Sequence, residues 1–144
     1  MDIASDADTI VARQQGRAAA LAIGLSRTDA TFVATAISEI ARNITSHAGT
    51  GQITIGRVAD GGREGIVVIA RDEGPGIEDV AAVLRQDYAS EAGLGIGLWG
   101  AQRLMDEVEV TSHVGEGTTV TMKKWRGTDS VGLLLGETTP GASA

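Results

Sequence analysis

Residues 72–77 read Asp-Glu-Gly-Pro-Gly-Ile and directly follow an apolar run, Gly-Ile-Val-Val-Ile-Ala at 65–70, which is typical of a buried strand. The two glycines permit positive φ angles or a close approach of another backbone, and the proline between them stiffens the turn. An aspartate at the end of a strand can accept a hydrogen bond from an exocyclic amine, so Asp72 is a candidate for recognising adenine. Taken alone, the stretch fits an ordinary strand-to-loop turn equally well.

A second segment, Glu39-Ile-Ala-Arg-Asn43, lies upstream in a region of helical periodicity. Its carboxylate and amide are at positions i and i+4 and therefore share one helical face. A carboxylate at this place can deprotonate a hydroxyl or orient a water molecule, and an amide oxygen is a suitable ligand for Mg²⁺. The spacing alone is weak, because it is common on solvated helices.

The third segment, Gly93-Leu-Gly-Ile-Gly97-Leu98, opens a helix that we predict over residues 97–106. Free backbone N–H groups at the start of a helix, together with the helix dipole, bind phosphate. The G-x-G-x-G spacing differs from the dinucleotide fingerprint, and a helix and loop precede it instead of a strand. A Walker P-loop is also excluded, because the chain has no Gly-Lys-Ser/Thr sequence.

Two helices are predicted before the first strand segment. The first covers residues 6–24, with Asp6 or Asp8 as its cap. The second begins near Ser26, where Ser26-Arg-Thr-Asp29 resembles a capping box. Both carry apolar stripes at helical spacing: Ile10, Val11, Ala18 and Leu21 in the first, and Phe32, Val33, Ala36, Ile37, Ile40 and Ile44 in the second.

The rest of the pattern predicts two hairpins separated by short helices. Residues 51–71 form the first hairpin around Asp-Gly-Gly-Arg-Glu-Gly, and Val-Gly-Glu-Gly at 114–117 joins the strands of the second. Short helices are predicted over 78–86 and 97–106. This order predicts an α+β sandwich, with helices on one face of a mixed, mostly antiparallel sheet. The scarcity of aromatic residues, 3% of the chain, predicts a core built from Ile, Val, Leu and Ala.

Composition excludes several classes of function. The chain has 144 residues, which suits one domain, and its 12 basic and 19 acidic residues give a net charge of −7. That charge argues against a nucleic-acid surface, and the absence of cysteine removes disulfides and thiolate chemistry. The sequence has neither a membrane-spanning run nor a signal peptide, so we expect a cytoplasmic protein without membrane contact. His47 and His113 are expected to be solvated or capping residues.

The chain is expected to divide into a domain at residues 1–127 and a mobile tail at 128–144, because Gly, Thr, Ser and Pro surround a single apolar run, Val-Gly-Leu-Leu-Leu-Gly at 131–136. Truncation after Gly127 is then expected to leave folding intact. An alternative stays open, in which the apolar run packs as an edge strand or at a dimer contact.

In this order, and followed by Gly115-Glu-Gly117-Thr118, the three segments resemble the GHKL (Bergerat-fold) ATPase superfamily over residues 8–126. The resemblance implies a two-layer sandwich that binds Mg²⁺ and ATP. It also implies that Glu39 is the general base, Asn43 the Mg²⁺ ligand, and Asp72 the adenine reader, supported by Thr118. The residues implied in nucleotide binding are Asn43, Asp72, Gly74, Gly76, Ile77, Gly93, Leu94, Gly95, Ile96, Gly97, Leu98 and Thr118.

Within that superfamily the chain looks most like the switch kinases of bacterial stressosomes, through Ala-Ile-Ser-Glu-Ile-Ala-Arg-Asn at 36–43, Gly-Leu-Trp-Gly-Ala-Gln-Arg-Leu-Met-Asp-Glu at 97–107 and Lys-Lys-Trp-Arg-Gly at 123–127. This resemblance implies an ATP-dependent serine/threonine kinase of STAS-domain partners that is released on phosphorylation to activate a PP2C-type phosphatase. Two alternatives stay open: an anti-sigma factor that sequesters a sigma factor and phosphorylates its antagonist, and a non-catalytic, ATP-gated binding module. A homodimer is possible in each case.

Overall fold

The computed structural model describes residues 1–85 and 97–127. Its helices are α1 (Asp6–Ile23), α2 (Arg27–Asn43), α3 (Val80–Val83) and α4 (Gly97–Leu104), and a π-helical turn over Ile44–Ala48 extends α2. Its strands are β1 (Asp2–Ile3), β2 (Gly51–Asp60), β3 (Arg63–Asp72), β4 (Glu107–His113) and β5 (Gly117–Trp125). The predictions for Gly93–Ile96 and for the tail at 128–144 lie outside the described residues.

The described strands form one sheet in the order β1-β2-β3-β5-β4, and each neighbouring pair is antiparallel. Alternate residues of β3 (Ile66, Val68, Ala70) are buried and join the cluster that α1 and α2 form over one face of the sheet. The predicted α+β class is therefore confirmed, as are both hairpins. In the first hairpin, Gly61 and Gly62 have φ angles of 57° and 84°, as a tight two-residue turn requires.

Helix α2 forms as its sequence predicts. The Ser26 hydroxyl accepts a hydrogen bond from the backbone N–H of Asp29 at 3.0 Å and caps the helix. The predicted stripe is buried in the core from Val33 to Ile44. Phe32 is the exception, because 37% of its surface is exposed and its ring lies 5.6 Å from the ammonium of Lys124. The stripe therefore begins one residue later than predicted.

Helix α1 has the predicted bounds, but its predicted stripe faces outward. The buried side consists of small residues and one isoleucine: Ala12, Gly16, Ala20 and Ile23. A Cβ at Gly16 would overlap Cδ1 of Ile37, so a larger residue at this position would require the Ile37 side chain to move. The cap prediction was also wrong, because the N-cap is Ser5, which accepts from the N–H of Asp8 at 3.4 Å.

Polar and aromatic groups close the end of the sheet opposite Asp72. The buried ammonium of Lys124 lies 3.8 Å from Asp29 and 3.5 Å from Asp106, which links β5 to α2 and to the start of β4. The Trp125 indole N–H donates to Glu107 at 2.7 Å, and this ring is almost fully buried. Met105, Met122 and Trp125 thus supplement the aliphatic core that the composition predicts. No described helix combines the length and the apolar character needed to cross a bilayer.

Candidate active site

A cavity of about 440 Å³ lies between α2, α3, the start of α4 and the adjoining ends of β3 and β5. This volume is within the range of ~300–1,000 Å³ that is usual for small-molecule sites. Six apolar side chains from helices and sheet share its lining: Ile40, Ile44, Ala70, Ala82, Leu98 and Val120. These side chains form an apolar floor, which suits a flat, uncharged ring. The polar groups at the margins of the cavity can orient that ring.

The end of the cavity at the sheet is built around Asp72, the last residue of β3. Its Oδ1 accepts a hydrogen bond from the N–H of Gly74 at 2.9 Å, which fixes the carboxylate and leaves it further acceptor capacity. Thr118 also lines the cavity and is the register partner of Asp72 across β3 and β5. The structure therefore brings together the two residues that the resemblance assigns to adenine.

Ser112, which the sequence analysis missed, organises this end of the cavity. Its Oγ accepts from the N–H of Ile77 at 2.7 Å, donates to the carbonyl of Gly117 at 3.1 Å and lies 2.8 Å from Oγ1 of Thr118. The Ser112 hydroxyl has one proton, which it donates to Gly117, so the Thr118 hydroxyl is the donor in the bond between Ser112 and Thr118. The Thr118 oxygen keeps lone pairs that can accept a hydrogen bond from a molecule in the cavity. The signal that could have identified Ser112 from the sequence is the register of the second hairpin, which places Ser112 opposite Thr118.

Two glycines allow the loop after β3 to pack against the turn between β4 and β5. Gly76 has φ of +80° and Gly117 has φ of +117°, and a Cβ at either would overlap a carbonyl oxygen, that of His113 or of Asp72 respectively. The N–H of Gly115 donates to the carbonyl of Pro75 at 2.8 Å and holds the two segments together. This close approach places Gly76 and Ile77 in the wall of the cavity.

Substitution of Gly76 by alanine should therefore be much more damaging than the same change at Gly115. Both have nearly equal φ angles, +80° and +82°, but no atom lies within 4 Å of a Cβ built at Gly115. We expect Gly115→Ala to lower the free energy of unfolding by about 1–2 kcal/mol through backbone strain alone. Gly76→Ala should cost about 1–3 kcal/mol more because of the steric overlap. Urea denaturation measures both, and equal losses would contradict the proposed close packing.

The opposite end of the cavity joins α2 to the first residue of α4. Glu39 is only 8% exposed, and its Oε1 accepts the N–H of Gly97 at 3.2 Å. Its Oε2 lies 2.8 Å from Nη1 of Arg42, one helical turn further along α2. A carboxylate is thus held by an ion pair beside the N-terminal end of α4, where the helix dipole favours negative charge.

Asn43 and Gly97 line the cavity; Glu39 is not among the lining residues and is joined to them by the hydrogen bond that it accepts from Gly97. In chemical terms, this end offers a base, an amide oxygen and a helix N-terminus that can stabilise an anion. His47 also lines the cavity at its exposed side, which the expectation of a solvated or capping residue did not include. The predicted residues Gly93, Leu94, Gly95 and Ile96 are outside the described part of the chain.

The oxygen atoms of the cavity fit a magnesium ion that takes most of its ligands from a bound nucleotide and from water. Among residues 1–85 and 97–127, no three His, Cys, Asp or Glu side chains are placed to share a metal. The cavity does offer the amide of Asn43, and Mg²⁺ commonly takes one or two protein oxygens together with phosphates and water. Asn43 would therefore hold the ion, and the phosphates of a nucleotide would complete its coordination.

The family model of the histidine kinase-like ATPase domain matches residues 3–124 of the chain. The chain therefore belongs to the histidine kinase-like ATPase domain family. Among curated proteins, it is 46% identical over 123 residues to the serine/threonine-protein kinase RsbT of Bacillus subtilis, covering 85% of this chain and 92% of that one. It is also 38% identical over 103 residues to the anti-sigma F factor of Thermoanaerobacter pseudethanolicus, covering 67% and 71% of the two chains.

A third relative, the anti-sigma F factor of Caldanaerobacter subterraneus, is 39% identical over 101 residues and covers 66% of this chain and 69% of its own. The match to the family model spans α2, the loop after β3, β4 and all of β5 except its last residue. The domain is thus an ATPase module of the kind found in kinases and anti-sigma factors.

Proposed function

We propose that this protein is an ATP-dependent serine/threonine-protein kinase that acts in a partner-switching system. The observation that carries the proposal is the cavity itself, which is lined by Asp72 at one end and at the other by Gly97, whose N–H is bonded to Glu39. The 46% identity to a serine/threonine-protein kinase, over 92% of that protein, supports the same activity. The domain uses ATP, and we propose Mg²⁺ as the accompanying ion.

In the proposed reaction, Asp72 accepts a hydrogen bond from the adenine amine, and the apolar floor holds the ring. Glu39 takes the proton from the acceptor hydroxyl of a serine or threonine. The hydroxyl oxygen forms a bond to the γ-phosphorus while the bond from that phosphorus to the bridging oxygen breaks, which leaves ADP. Asn43 would hold Mg²⁺, which would supply neutralisation of phosphate charge when bound. The ion pair with Arg42 and the hydrogen bond from Gly97 hold the Glu39 carboxylate in place.

The substrates that we propose are STAS-domain antagonist or scaffold proteins of a bacterial stress-response system. Phosphorylation would release the kinase, which would then bind and activate a PP2C-type phosphatase. Protein partners of some kind are expected from the relatives, which include a kinase and anti-sigma factors. We propose a cytoplasmic location, without nucleic-acid or membrane partners.

The second candidate is an anti-sigma factor that sequesters a sigma factor and phosphorylates its antagonist. The identity of 38–39% to anti-sigma F factors, over about two thirds of this chain, favours it. It differs from the first candidate in its output, because binding and sequestering the sigma factor is then the main effect.

One experiment separates the two candidates and a non-catalytic module. The purified chain is incubated with γ-labelled ATP, Mg²⁺ and STAS-domain proteins encoded beside it, and the same chain is used to capture sigma factors. Label on a serine or threonine of the STAS protein, without sigma capture, is the expected result. Stable sigma capture would favour the anti-sigma factor. ATP binding without transfer to any STAS partner would contradict the proposed kinase activity.

A further inference from the structure

Both oxygens of the Glu39 carboxylate have a partner within the protein. Oε1 accepts the backbone N–H of Gly97 at 3.2 Å, and Oε2 lies 2.8 Å from Nη1 of Arg42. The shorter contact joins two opposite charges and is the stronger of the two. The oxygen that is not bonded to α4 is therefore engaged by an arginine on the same helix as the proposed base.

The two members of this ion pair differ in their accessibility. The side chain of Glu39 is 11% exposed, whereas that of Arg42 is 58% exposed. Arg42 is not among the residues that line the cavity, although its neighbour Asn43 is. A nucleotide would occupy the cavity, but a folded protein substrate is too large to enter 440 Å³ and must approach from the solvent side. The guanidinium is thus the accessible member of the pair on that side.

The proposed reaction changes the charge of only one member of the pair. Glu39 becomes neutral when it takes the proton of the acceptor hydroxyl, while an arginine keeps its charge in proteins. A neutral carboxylic acid attracts the guanidinium much less than a carboxylate does. The ion pair therefore opposes transfer of the proton unless Arg42 is given another anion to bind.

We propose that Arg42 selects acceptor proteins that carry an acidic side chain beside the acceptor serine or threonine. The carboxylate of the acceptor protein replaces Glu39 on the exposed guanidinium, whose planar geometry suits such a partner. Oε2 of Glu39 is then available for the hydroxyl proton, while the bond from Gly97 to Oε1 keeps the base at the start of α4. This inference rests on the proposed kinase activity and adds to it a substrate class, an acidic acceptor segment.

The same ion pair restrains the hydrolysis of ATP. Water brings no anion to draw Arg42 away, so Oε2 stays engaged when water is the only acceptor. Arg42 then has two effects of opposite direction, because it slows transfer to water and favours transfer to an acidic protein. A residue that only stabilised the fold would change both rates in the same direction.

The test compares Arg42→Gln and Arg42→Lys with the unaltered chain. Without an acceptor protein, Arg42→Gln should raise the rate of Mg²⁺-dependent ATP hydrolysis about 2- to 5-fold, because a partly exposed ion pair is lost. With the STAS-domain protein that the unaltered chain phosphorylates, kcat/KM for the acceptor should fall about 10-fold or more. ATP affinity should be unchanged, and Arg42→Lys, which keeps the charge, should give intermediate rates.

Arg126→Gln is the matched control. This arginine also pairs with a glutamate, Glu64, at 3.3 Å, and its side chain is 53% exposed. It follows β5 at the end of the sheet opposite Asp72. We expect this variant to leave both rates unchanged.

A second set of variants changes the acceptor protein. The acidic residues that flank its labelled serine or threonine are replaced by the corresponding amides. Transfer by the unaltered chain should then fall about as far as it does with Arg42→Gln. The same replacements should make little further difference to Arg42→Gln, because the two sides of one ion pair are not additive.

Four results would overturn the proposal while leaving the kinase activity in place. They are a fall in hydrolysis as well as transfer in Arg42→Gln, a loss of its ATP affinity, additive losses from the two sets of variants, and an acceptor site without a flanking acidic residue. The second result would place the guanidinium on the nucleotide. If the unaltered chain transfers phosphate to no STAS-domain protein, the proposed function itself fails.

Discussion

Glu39→Gln is expected to lower phosphotransfer about 10²–10⁴-fold while ATP affinity changes only a few-fold, because a general base contributes roughly that factor to the rate. Glutamine has nearly the same shape and can keep the bond from Gly97 through its amide oxygen, which is 3.2 Å long for Glu39. It cannot accept the proton of the substrate hydroxyl. Single-turnover transfer to a STAS partner and calorimetric titration with ATP measure the two quantities separately.

The matched control for Glu39 is Glu109→Gln, which removes one carboxylate from the exposed face of β4 without touching the cavity. It should leave both rate and affinity unchanged. If Glu39→Gln transfers phosphate at the rate of the unaltered protein, the base lies elsewhere or proton removal does not limit the reaction. A large loss of ATP affinity in Glu39→Gln would instead indicate that the carboxylate organises the binding site.

Asp72→Asn should weaken ATP binding roughly 10- to 150-fold, which corresponds to about 1.5–3 kcal/mol for the loss of a charge-assisted hydrogen bond. The asparagine oxygen can keep the 2.9 Å contact from Gly74, so the turn is preserved. Its amide NH₂ then faces the adenine amine, donor against donor. Calorimetry with ATP, and with a purine nucleotide that lacks the exocyclic amine, isolates this pairing.

The nucleotide without the amine should bind nearly equally to the unaltered protein and to Asp72→Asn. Asp60→Asn is the control, because this aspartate ends the neighbouring strand at the far end of the same hairpin and its side chain is 71% exposed. Unchanged ATP affinity in Asp72→Asn would remove the adenine assignment. An equal loss for both nucleotides would mean that Asp72 maintains the loop rather than reads the base.

Helix α2 and the two hairpins were predictable because local signals agree with the tertiary structure. Ser26 caps the helix, its apolar residues recur at helical spacing, and Gly61-Gly62 specify a tight turn. Most of the predicted site residues that the structure describes line one cavity, since strand ends and helix starts are where the motifs lie. Glu39 and Gly74 do not line it but are hydrogen-bonded to the lining residues Gly97 and Asp72. Their chemical roles remain predictions.

Helix α1 shows where prediction from apolar periodicity fails. The 3.6-residue periodicity of Ile10, Val11 and Leu21 is real, but periodicity does not say which of two surfaces an apolar stripe meets. The structure buries the face of small residues, which includes Gly16 and Ala20, and leaves the apolar stripe on the outside. Ser112 was missed for a related reason, because its role depends on three partners that come together only through strand register and loop closure.

The crystal structure of the full chain with Mg²⁺ and a non-hydrolysable ATP analogue tests the proposed nucleotide site most directly. We expect the adenine amine within about 2.7–3.2 Å of an Asp72 carboxylate oxygen, the ring over the apolar floor, and the phosphates at the start of α4 with Asn43 on the ion. A nucleotide bound outside this cavity would contradict the proposed site. So would a nucleotide whose base lies at Glu39 and whose phosphates lie at Asp72.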